Sequence, residues 1–139
     1  MYKMREQLEP LALTESLPWL HPGDVIRLQE IQEEIEAGVD VEQFLELDRE
    51  FHLRPYSACA IEQLTTTVTR LWNSTQYYRR AFMQVTGPER RWVVNAEHRL
   101  LLDAIERRDE TDAARFLAGH IRRTRIELSH HPEVFGEET

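Results

Sequence analysis

Along this chain apolar residues recur three and four positions apart, and no window alternates apolar and polar strictly enough to read as a strand. The pattern predicts helices nearly throughout. "YKMREQLEPLALTESL" gives a first helix that Pro10 is expected to bend or break. "HPGDVIRLQEIQEEIEAG" gives a second, with Pro22 near its start, a stripe of Val25, Leu28 and Ile31, and Gly38 at its end. A third is predicted from about Asp40 to about Cys59, and a long fourth from about Ala60 to Val85. The fifth opens at "TGPE", with Thr86 or Gly87 near the cap and Pro88 in the first turn, and runs to about Arg108. "RDETDAA" turns into a sixth helix ending near Ser129, and the tail "HHPEVFGEET" is expected to be loose or lightly docked. About six helices joined by short loops predict an all-α fold, an antiparallel bundle.

Some of the inward stripes carry the wrong chemistry for a core. In "FLELDREFHLRPY" the apolar face set by Phe44, Leu47 and Phe51 also contains Asp48 and His52, one turn apart. The fifth helix puts His98 on one face with Val94, Leu101, Leu102 and Ile105. The sixth puts His120 with Ala113, Phe116 and Leu117. A single histidine on such a stripe is usually a core residue with a satisfied nitrogen, and a single aspartate can pair with an arginine. A carboxylate and three imidazoles facing one interior need a common solution, since an uncompensated buried charge costs several kcal/mol. One divalent cation supplies it by neutralising Asp48 and accepting a lone pair from each of His52, His98 and His120. Zinc, nickel, iron and manganese all suit this donor set.

Composition narrows the classes. At 139 residues, 41% hydrophobic and 30% charged, the chain reads as one soluble domain. Its net charge of −8 lacks the basic surplus that grips phosphates, so DNA binding is expected to lie elsewhere. Cys59, the only cysteine, excludes an internal disulfide and a thiolate-rich zinc site and fits a cytoplasmic location. No apolar run approaches the roughly 18–20 residues a membrane span needs.

"LDREFH", followed later by "EHRLLLDAIERRDETDAARFLAGH" and preceded by "YKMREQLEPLAL", resembles the FCD domain. That domain is the C-terminal effector-binding and dimerisation domain of GntR-family transcriptional regulators of the FadR subfamily. The resemblance covers essentially the whole chain, and six helices suit the smaller, VanR-like version. It implies a divalent metal, most often zinc or nickel, on Asp48, His52, His98 and His120, with open positions for a small carboxylate effector. Such domains answer to organic acids such as lactate, gluconate or citrate, while the relatives that take acyl-CoA lack the metal motif. It also implies a homodimer whose DNA contacts come from an N-terminal winged helix, expected to be absent from this chain by excision or truncation. Where many relatives carry an Asn in a "GNP"-like turn, this chain reads "CAIEQ" with Ile61.

Three further residues are candidates for the effector. Arg79 lies on the inward stripe of the fourth helix with Ile61, Leu64, Val68, Leu71, Trp72, Thr75 and Phe82, where a guanidinium beside a metal calls for an anion between them. Arg5 matches the family's first-helix arginine and shares the face of Leu8 and Ala12, and Asn95 sits one turn before His98. Trp72, Tyr77 and Tyr78 are expected to pack. Pro55, three residues after His52, either ends the third helix early or bends it to set the Asp48–His52 angle, at about 3 kcal/mol in an ordinary helix. Two other classes share the donor set. A metalloenzyme needs a general base, for which Glu97 is nearest in sequence but points roughly 100° away from His98. A structural dimerisation bundle would use the same four residues as core or as a closed metal clip.

Overall fold

A computed structural model gives an all-α bundle of six helices: α1 Tyr2–Ser16, α2 Pro22–Ala37, α3 Val41–Leu53, α4 Glu62–Thr86, α5 Arg91–Glu106 and α6 Glu110–Ser129. It describes residues 1–86 and 88–134, apart from the side chains of Val85 and Pro88. Gly87, a predicted cap, and the last five residues of the tail fall outside that set. Among the described residues no strand occurs, and no helix is long and apolar enough to cross a membrane.

The helix starts follow local chemistry. At α2 the His21 ring accepts a hydrogen bond from the Gly23 backbone N–H, and Pro22 occupies the first helical position, where its missing N–H costs nothing. Gly38 ends that helix at φ 101°, a conformation that disfavours any side chain. A capping box opens α3: Asp40 accepts from the Gln43 N–H, and the Gln43 side chain accepts from the Asp40 N–H. Asp109 caps α6 through the Asp112 N–H.

Four expectations need correction. Pro10 does not break α1, which runs unbroken from Tyr2 to Ser16 before a 3₁₀ turn at Leu17–Trp19. The third helix ends at Leu53 rather than near Cys59, because Pro55 lacks the N–H that would continue it, and Arg54–Tyr56 form a 3₁₀ turn. Pro55 therefore ends α3 and does not bend it. Ile61 precedes α4 and is 43% exposed, so it leaves the inward stripe that Leu64, Val68, Leu71, Trp72 and Phe82 make. Tyr77 is also exposed, whereas Trp72 and Tyr78 pack inside as expected.

The core joins all six helices, with Leu13, Leu28, Phe51, Trp72, Leu102 and Leu117 fully buried. Helix α6 lies against both α1 and α5, while α3 lies against α2 and α4. That arrangement faces the C-terminal half of α3 toward the middles of α5 and α6. In the tail, Val134 docks on the core.

Candidate metal centre

The four donors expected from the sequence share one interior, and each is almost wholly buried: Asp48 and His98 at 0% exposure, His52 at 2% and His120 at 3%. The three imidazoles each offer one nitrogen within 4.8 Å of the others. Asp48 joins on the side of His52 and His98. Its Oδ1 lies 3.4 Å from His52 Nε2 and 3.3 Å from His98 Nε2, and those two nitrogens are 3.2 Å apart.

The tautomers follow from what surrounds the rings. Gln32 donates through Nε2 to the Glu36 carboxylate, which can only accept, so its Oε1 faces His98. Nδ1–H of His98 donates to that oxygen at 2.8 Å, leaving Nε2 as a lone pair aimed at the cluster. Nδ1–H of His120 donates to Glu97 Oε1 at 3.1 Å in the same way. Phe51 stacks on the His98 ring at 4.3 Å, and His52 and His120 stack on each other at 5.1 Å. Burial pushes His52 down to about 3, with Asp48 opposing, and burial also lowers His98, so both are neutral near pH 7.

Asp48 Oδ1 and the Nε2 atoms of His52 and His98 then form a triangle. A proton on His52 Nε2 would serve one of its contacts, but the His98 lone pair would still face the Asp48 carboxylate at 3.3 Å. Neither Asp48 oxygen receives an aligned hydrogen bond, and His52 Nδ1 is buried without a partner. Edges of 3.2–3.4 Å match those expected around a metal with bonds of about 2.0–2.2 Å in octahedral or tetrahedral geometry, about 3.0–3.5 Å. The residues present fit a divalent cation.

Arg79 answers part of the charge. Its Nε is 2.5 Å from Asp48 Oδ2, yet the N–H does not point at the oxygen, so the contact is a charge pair without a formed hydrogen bond. Burial would raise the Asp48 carboxyl, but Arg79 and then His52 outweigh it and hold the group well below the carboxylate range. The aspartate that the sequence could equally pair with arginine thus meets both an arginine and the histidines.

Arg5 is more committed than its expected role suggested. It donates to Glu9 at 2.5 Å and to Thr75 Oγ1 at 3.2 Å, and its guanidinium lies 4.2 Å from the Trp72 ring centre. Glu9, fully buried, also accepts from the Tyr56 hydroxyl and from Trp72 Nε1. Arg5 and Arg79 nevertheless both line a small void of about 10 Å³ beside His52 and His120, along with Tyr2 and Thr124. The Tyr2 hydroxyl is buried there without a well-formed hydrogen bond. Asn95, in contrast, turns its Oδ1 to Gln32 and lines a different cleft, away from this void.

Sequence patterns gave no sign of Gln32 or Tyr2, which lie far along the chain from the histidines they approach, or of Thr124, one turn after His120 on α6. Glu97 was visible only as a possible base. It is instead tied to His120 and, at 2.5 Å, to Arg123. Burial would raise its carboxyl, but those two partners outweigh that and lower it.

The family model described as the FCD domain matches residues 1–123. Among solved structures the chain is similar to a GntR-family transcriptional regulator from Pseudomonas syringae pv. tomato str. DC3000, with a TM-score of 0.82 and 23% identity over 95% of this chain and 55% of that one. It is also similar to E. coli McbR/YncC, with a TM-score of 0.80 and 25% identity over 93% of this chain and 62% of that one. The chain therefore spans somewhat over half the length of these relatives. No curated protein sequence gives a significant match.

Proposed function

The chain belongs to the FCD domain family, and on that premise we propose that it is the effector-sensing and dimerising domain of a GntR-family transcriptional regulator. In this reading Asp48, His52, His98 and His120 hold one divalent metal, zinc or nickel first, with iron or manganese as substitutes. A small organic acid meets the loaded site, and its binding controls DNA contacts made by a winged helix outside this chain. The whole acts as a homodimer in the cytoplasm.

One observation carries the metal: Asp48 Oδ1 and the Nε2 atoms of His52 and His98 lie 3.2–3.4 Å apart in a buried interior. When bound, the metal supplies positive charge and vacant coordination for an anion. The chain's own residues do the rest. Gln32 and Glu97 hold the His98 and His120 tautomers with their Nε2 lone pairs inward. Two cations, Arg5 and Arg79, flank the void and favour an anion there. Hydrolysis is disfavoured because Glu97, the carboxylate next to His98 in sequence, is already engaged by His120 and Arg123.

Elemental mass spectrometry of untagged protein beside a His98→Ala variant tests the metal. About one equivalent in the parent and little in the variant is the expected result. Absence from both, persisting after incubation with zinc or nickel, overturns it. Calorimetric titration of a panel of carboxylates, acetate, lactate, citrate and octanoate, into the loaded protein then separates a sensor from a closed structural clip, which would bind none.

A further inference from the structure

The void beside the histidines is too small for an effector. At about 10 Å³ it has room for roughly one water-sized sphere. An organic acid seated there by its carboxylate must place its remaining atoms elsewhere, and one wall of the void is shared with a much larger space. That wall is Arg79, which also lines a cleft of about 270 Å³ between the ends of α2, α3, α4 and α5.

The cleft is chemically two-sided. Its body is apolar, made by Ile35, Val41, Phe44, Phe82, Met83 and Val94. Three arginines, Arg79, Arg90 and Arg91, stand around it. Arg90 is only loosely paired, 3.8 Å from Glu127. Arg79 is the telling one. It is 6% exposed, and its Nε, 2.5 Å from Asp48, forms no aligned hydrogen bond. Among the described residues none accepts a hydrogen bond from its guanidinium, which lies 5.5 Å from the centre of the Phe44 ring. A buried guanidinium with unspent donors, set against apolar walls, fits a ligand with one anionic end and a hydrocarbon body.

We propose that this cleft is the tail half of the effector site and that the ligand is a monocarboxylate with an apolar body of medium length. Its carboxylate meets Arg79, and its body lies against Phe44, Phe82, Met83 and Val94. This rests on the carboxylate-sensing reading and narrows it: short hydroxy acids and citrate lack the hydrocarbon to fill the cleft. The volume, just under the roughly 300–1,000 Å³ of drug-sized pockets, favours a single chain or one ring over anything larger.

The test is a calorimetric series of straight-chain acids, acetate to decanoate, against zinc-loaded protein. Affinity is expected to rise about fourfold for each methylene that enters the cleft and then to level off. Two filling variants, Val94→Trp and Val41→Trp, put bulk into the cleft from partly exposed positions. They are expected to abolish the rise, with zinc content and the circular-dichroism melt confirming that the bundle is folded and loaded. Acetate binding as tightly as octanoate overturns the tail cleft and leaves carboxylate sensing intact. A rise that survives both variants also overturns it, because the tail then lies elsewhere. Failure of every acid to bind the loaded protein overturns both readings together.

Discussion

His98 is the residue on which the site turns, and its usefulness depends on Gln32. A neutral imidazole offers one lone pair, and the Gln32 Oε1 at 2.8 Å decides that it is Nε2. Gln32 is itself held by Glu36 and Asn95, so the tautomer is enforced through two links. A Gln32→Met variant keeps the volume and removes the acceptor. Its zinc affinity, read by competition with a chromophoric chelator, is expected to fall about 10–100-fold, with the metal still binding at one equivalent. Unchanged affinity would mean that the ring is fixed by Phe51 stacking alone. The clustering of these four side chains was legible in the sequence because helical periodicity places Asp48, His52, His98 and His120 among apolar neighbours. Gln32 was not, because its bond to His98 spans 66 residues and depends on how α2 lies against α5. Glu97 shows the same limit. Its direction away from His98 was readable from the 100° step of a helix, but the partner waiting there, His120, comes from a separate helix.

At the level of the element, α3 is the part that carries two of the candidate donors, and both of its ends are chemically defined. The Asp40–Gln43 box opens it and Pro55 closes it just beyond His52. Asp48 and His52 lie two and three turns in from the cap, in the stretch packed against the core, so end fraying should not reach them. Asp40→Ala is therefore expected to cost about 1 kcal/mol in urea unfolding while zinc affinity stays within about twofold of the parent. A large affinity loss would show that the cap also positions the ligands. Caps and prolines act within three or four residues, so Pro22 and Gly38 marked the ends of α2, whereas Pro88, expected in the first turn of α5, sits in a 3₁₀ turn ahead of it, and Thr86, expected near its cap, ends α4. The misreadings came where local rules compete. Pro10 is accommodated inside α1, and apolar residues after Pro55 extended the pattern past the point where the missing N–H ends the helix.

For the molecule as a whole, the buried imidazoles set its response to acid. The sign follows from protons bound: His52, at about 3 in the fold, sits below its unfolded value of about 6.5. The unfolded chain then binds more protons between those limits, so stability is complete above about pH 6.5 and is lost as pH falls toward 3. His98 is lowered by burial and adds in the same direction, and the depressed Asp48 adds its loss below about pH 4. Chelator-treated protein is expected to show a melting temperature that is level above pH 7 and drops steeply below 6. Zinc at a hundred times its dissociation constant should raise stability by about 2.7 kcal/mol near pH 7, an increment that shrinks as protons compete for the same nitrogens.

Tyr2 and Arg5 stand at the wall of the void and also in the first turn of α1, only one and four residues from Met1. At about 1.5 Å of rise per residue, Arg5 is roughly 6 Å along the helix from the chain's first residue. In any longer protein that carries this chain, whatever is joined ahead of Met1 is bolted to a very short crank. One turn of helix is all that separates the wall of the void from that attachment point.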